Sequence, residues 1–169
     1  YRDSIRKEVQ KIVDVFHIQY GIIHPEFFIA EDGQLYFGEV AYRIPGGHIF
    51  DLMQKTYEFS PFEGHILCSD PNTEEDELNN FFPDEKTHNG YAGSFLVYPK
   101  VNYINGTNIP DELEQHPAFE RHTIFTPDDR NVQQMEGYGN HYGTIFFYND
   151  DCEQVKQPLQ HYVEHDFYV

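Results

Sequence analysis

Between two aromatic-rich runs, residues 26–30 and 34–42, lie Glu31, Asp32 and Gly33, and this interruption constrains the fold more than any other stretch. Apolar runs flanking an Asp-Gly pair predict an antiparallel hairpin closed by a primed turn. Successive strand side chains point to opposite faces, so Glu26 is expected to share a face with Phe28, and Phe37 with Glu39, Ala41 and Arg43. A register set by the Asp32-Gly33 turn brings Glu26 and Glu39 to nearly opposite positions.

Like charges facing each other across a sheet repel, and Phe27, Phe28, Tyr36 and Phe37 limit the solvation of this pair. A hard divalent cation relieves the conflict. Magnesium fits, because it is held by one or two carboxylates with waters and substrate phosphates completing its shell; manganese is the alternative ion. Arg43 adds a planar fork suited to a carboxylate or phosphate. Without any chemistry, the same two glutamates are simply the solvent face of a half-exposed hairpin. Downstream, Gly46 and Gly47 let backbone amides approach an anion closely, His48 follows, and a helix over residues 49–57 starts there.

The remaining pattern is α+β. Ile5, Val9, Ile12, Val13 and Phe16 mark an amphipathic helix over residues 4–16, and Pro25 confines the first hairpin strand to an edge or delays its start. Residues 60–69 read as a short helix, and Thr73 with Glu74, Glu75 and Asp76 as a capped one ending near Phe81. Strands are expected over 91–99, 101–104, 119–125 and 143–148, separated by turns at Asn105-Gly106, 126–129 and 136–140. A helix over 153–162, burdened by Pro158, precedes a last strand at 166–169. Three regions follow: residues 1–69, an acidic connector at 70–90, and an antiparallel α+β lobe at 91–169.

Charge narrows the partners. With 29 acidic against 11 basic residues the net charge is −18, which disfavours nucleic acid and anionic membranes. Cys68 and Cys152 fit no disulfide framework, and neither a signal peptide nor a membrane-length apolar run occurs, so a cytoplasmic setting is expected. The start at Tyr1, directly into helical pattern, suggests a fragment of a longer protein.

Residues 22–52 resemble the end of an ATP-grasp fold. In that family two strands carry a pattern of E-F-hydrophobic, then G, then hydrophobic-E-x-N-x-R; here stand Glu26-Phe27-Phe28, Gly33, and Glu39-Val40-Ala41-Tyr42-Arg43. The resemblance implies the C-terminal portion of an ATP-dependent carboxylate–amine ligase, of the amino-acid ligase and carbamoyl phosphate synthase kind. It also implies ATP and magnesium as cofactors, Glu26 and Glu39 as the metal carboxylates, Arg43 as the catalytic residue that stabilises the anionic intermediate, and Arg43 with Gly46, Gly47 and His48 as the substrate and phosphate loop. Residues 91–169 resemble the small antiparallel lobe that follows. The implied chemistry is phosphorylation of a carboxylate, then attack by an amine on the acyl phosphate. The substrates are then a small carboxylate and an amine, and the partners are the missing N-terminal lobes, with a homodimer left open. The fragment alone is expected to be inactive.

One departure stands out: Ala41 occupies the place of the family's asparagine and cannot ligate a metal. Two other readings remain open. One is a cupin-like β-domain holding a transition metal through His24, Glu26 and His48; the other is a degenerate grasp module kept for protein contacts.

Overall fold

The computed structural model describes residues 1–84, 86–132 and 141–169; the turn expected at 136–140 lies outside them. The chain forms two compact units, Tyr1–Phe50 with Phe59–Asp84, and Asp51–Glu58 with Glu85–Val169.

In the first unit, helix α1 (Arg2–Phe16) buries Ile12 and ends on His17, whose left-handed φ of 54° turns its amide back to the carbonyls of Val13 and Asp14. Strands β1 (His24–Ile29) and β2 (Leu35–Ala41) form a two-stranded antiparallel sheet. Pro25 lies inside β1, which is tolerable because each strand has one free edge. The hairpin turn is not the expected primed one. Gly33 N–H donates to Ala30 O at 2.8 Å and Gly33 alone takes a positive φ, 82°, which describes a type I turn followed by a left-handed glycine. Asp32 stays in an ordinary conformation because its carboxylate accepts the Gln34 N–H at 2.9 Å.

Helix α2 (Ile49–Tyr57) follows the glycine loop and passes from the first unit into the second. Helix α3 (Pro61–Ser69) is capped by Ser60, whose hydroxyl accepts the Glu63 N–H at 3.2 Å. Helix α4 (Glu75–Phe81) starts after Glu74 with no side-chain cap, so Thr73 does not play the capping part expected of it. Phe81 and Phe82 stack edge-on against Phe59, and a Cβ on Gly64 of α3 would come 2.9 Å from the Phe82 ring.

The second unit is a three-stranded antiparallel sheet, β3 (Tyr91–Val97), β4 (Phe119–His122) and β5 (Gly143–Asn149), ordered β3-β5-β4. A short helix α5 (Asp111–Glu114), absent from the sequence expectation, precedes β4. Helix α6 (Cys152–His161) covers one sheet face, with Val155 and Leu159 lying over Gly93. Asp151 caps it, and buried Pro158 sits one turn from its end, where few backbone bonds remain to break. The core joins Val97, Ile104, Leu113, Ile145, Phe147 and Phe167.

Two expected strands are not ladders. Residues 101–104 and 166–169 make only the isolated bridges Tyr103–Asn131 and Thr107–Tyr168. Their partners are irregular segments. Gly106, at the expected turn, exchanges backbone bonds with Val169 in both directions, at 3.0 and 3.1 Å.

Candidate functional site

Glu26 pairs with Glu39 across the hairpin. The next pair is Phe27 with Phe37, so Gly38 is an extra residue on β2, a β-bulge. A Cβ at Gly38 would come 3.1 Å from the Glu26 carbonyl and 2.9 Å from the Phe28 ring, which is why glycine stands there. The bulge resets the alternation. Paired residues share a face, so Phe27 and Phe37, in ring contact at 5.9 Å, lie on one face and Glu26 and Glu39 on the other. The expectation that Phe37 shares the face of Glu39 is therefore corrected.

The carboxylate face carries Phe28 opposite Tyr36, Glu26 opposite Glu39, and His24 opposite Ala41. Glu26 is half-buried and Glu39 exposed. Ala41 thus occupies the face on which a longer polar side chain would reach the carboxylates. The buried Nδ1 of His24 makes no hydrogen bond.

Beyond β2, Arg43 is exposed, and one of its guanidinium N–H groups donates to Ile44 O at 3.1 Å. Gly47 and His48 take positive φ of 61° and 64°, and Ile49 N–H donates to Gly46 O at 3.2 Å, the geometry of a type I′ turn. A Cβ on Gly46 or Gly47 would meet nothing within 4 Å, so the backbone of this loop is open to approach. The His48 ring lies against Phe50, 6.0 Å between centroids.

The donor chemistry fits magnesium or manganese: two carboxylates in register on one face, with the remaining ligand positions left to water and phosphate. Among the described residues no three His, Cys, Asp or Glu side chains gather as a metal-holding group. His24, Glu26 and His48 are accordingly not brought together as a three-ligand set.

Motif spacing singles out nothing around α2, yet the second unit gathers charge there. Asp51, Lys55 and Glu58, at helical spacing on one face, look onto Glu120, Arg121 and the rings of Phe146 and Tyr148 across a cavity of about 390 Å3. Arg121 lies 3.3 Å from Asp51 and 3.8 Å over the Phe146 ring. Lys55 lies 3.1 Å from Glu120 and 4.6 Å over Tyr148. Polar residues at the spacing of Asp51, Lys55 and Glu58 are ordinary for an exposed helix face, and their partners on the sheet leave no local signal in the sequence.

No family model matches the chain, and no curated protein matches it. Solved structures do. The chain superposes on L-amino acid ligase from Bacillus licheniformis with a TM-score of 0.78 and 18% identity, covering 99% of this chain and 40% of that one. N5-carboxyaminoimidazole ribonucleotide synthetase from Thermotoga maritima gives 0.60 and 15%, over 94% of this chain and 39% of that one. Phosphoribosylglycinamide synthetase from Anaerococcus prevotii gives 0.64 and 12%, over 96% and 40%. The chain therefore spans about 40% of the length of the structures it matches.

Proposed function

The fold, helices with two small antiparallel sheets, is that of the C-terminal portion of an ATP-grasp ligase, and from it we propose that the chain belongs to an ATP-dependent carboxylate–amine ligase. The observation that carries this reading is the register of Glu26 against Glu39 on one face of the hairpin. In the proposal these two side chains hold a magnesium ion, with manganese as the alternative. When bound, the ion neutralises charge on the phosphoryl group in transfer.

The chain's other residues bind and orient. Arg43, with most of its fork uncommitted to Ile44, holds the substrate carboxylate and later the acyl phosphate. The open backbone at Gly46, Gly47 and His48 offers amides to the same anion. A carboxylate oxygen attacks the γ-phosphorus and ADP leaves; an amine then attacks the acyl carbon and phosphate leaves. The other cleft wall belongs to residues outside this chain, in keeping with the share of each neighbour it spans.

The test uses the full-length protein with ATP, magnesium and amino acids labelled with oxygen-18 in the carboxylate. The expected outcome is one labelled oxygen in each phosphate released. ADP formation with unlabelled phosphate would exclude an acyl phosphate. A second reading, a degenerate module used for protein contacts, is favoured by Ala41 on the carboxylate face opposite His24; it requires ATP binding without oxygen transfer to phosphate from any acid.

A further inference from the structure

The cavity between the Asp51–Glu58 segment and the sheet of the second unit has two local irregularities in its walls, and each of them places a carboxylate. In β4 the ladder shifts between Phe119 and Arg121, leaving Glu120 as the bulged residue. Bulges re-aim side chains and cluster beside binding sites. At the end of α2, Glu58 takes a φ of 55° while its N–H donates to Gln54 O at 2.9 Å. That left-handed closing position ordinarily belongs to glycine or asparagine, and a glutamate there is strained. Both irregular residues line the same space.

Charge then decides what the space takes. Arg121 is satisfied by Asp51 and Lys55 by Glu120, each cation also resting over an aromatic ring. The Glu58 carboxylate makes no hydrogen bond or ion pair with the described residues. The cavity therefore holds three carboxylates against two cations, one negative charge in excess, beside the Tyr148 ring. An anion would have to displace an existing ion pair, whereas an ammonium group meets the Glu58 carboxylate without displacing one. At about 390 Å3 the space suits a molecule of a few heavy atoms up to amino-acid size.

We propose that this cavity is a binding site for a small organic cation bearing a primary ammonium, with Glu58 as its anionic anchor. The site uses none of the hairpin carboxylates and stands whether or not the ligase reading holds.

The experiment titrates the full-length protein with putrescine, and with the neutral, near-isosteric 1,4-butanediol, following the amide signals of Gln54, Lys55 and Tyr148. Saturable putrescine binding centred on those residues is expected, with no saturation by the diol. Glu58→Gln should weaken putrescine on the order of tenfold or more, and Glu75→Gln on α4 should leave it unchanged. Glu58→Gly separates binding from folding: it should lose putrescine while its melting temperature rises. No saturation by putrescine, saturation by the diol at the same concentrations, or undiminished binding in Glu58→Gln would overturn the proposal.

Discussion

Glu58 and Gly38 show how single residues set the chemistry of their surroundings. A glutamate held at a φ of 55° costs about 1–2 kcal/mol relative to glycine. Glu58→Gly is therefore expected to stabilise the fold by roughly 1 kcal/mol in denaturant titration, less the entropy glycine adds to the unfolded chain. At Gly38 the missing Cβ lets β2 bulge toward the Glu26 carbonyl, and this places Glu26 and Glu39 together on a face free of the Phe27–Phe37 contact. The Glu26–Glu39 pairing was legible, though through two departures that cancel: the loop of Glu31, Asp32 and Gly33 shifts the register by one residue and the Gly38 bulge shifts it back. The face of Phe37 was not. A bulge leaves the alternation of residue types intact while inverting its meaning, and only the lone glycine marks it.

At the scale of elements, the local signals carried most of the structure. The stripe of α1, the Ser60 and Asp151 caps and the hairpin turn residues act over a few positions, and helices and strands appear where they point. Residues 101–104 and 166–169 have strand composition yet each finds only a single bridge, because β-rich composition cannot say whether a partner strand exists. Packing between elements gives two expectations. On β3, a Cβ at Gly93 would come 2.6 Å from Leu159 Cδ1 and 3.0 Å from Val155 Cγ1. Gly93→Val should therefore destabilise the second unit by about 1–3 kcal/mol, seen as a lower unfolding midpoint in urea.

Tyr168, buried in that core and donating its hydroxyl to Tyr142 O at 2.7 Å, is pushed up to about 12, chiefly by burial. The phenol ionises near 10 in the unfolded chain, so the unfolded state releases its proton first as pH rises. The stability Tyr168 contributes is whole below pH 10 and is lost as pH rises through about 12. Denaturant midpoints measured across that interval should fall more steeply in the parent than in Tyr168→Phe.

For the whole molecule, the two units differ in how complete they are. The second carries a closed apolar core, whereas the first exposes Phe28, Tyr36 and Phe37 on a sheet of only two strands, a size marginal by itself. No helix among the described residues is long and apolar enough to cross a membrane. The resemblance to the ATP-grasp pattern was visible in the sequence because the hairpin concentrates it in a short span. The Lys55 and Arg121 pairings were invisible, because they join α2 to strands far along the chain. The proposed metal-holding role of Glu26 and Glu39 at an ATP site is checked by calorimetric titration of the full-length protein with ATP, with and without magnesium. Binding is expected to require magnesium and to be lost in Glu26→Gln and in Glu39→Gln. Equal affinity without the metal, or in the doubly substituted protein, would contradict that role.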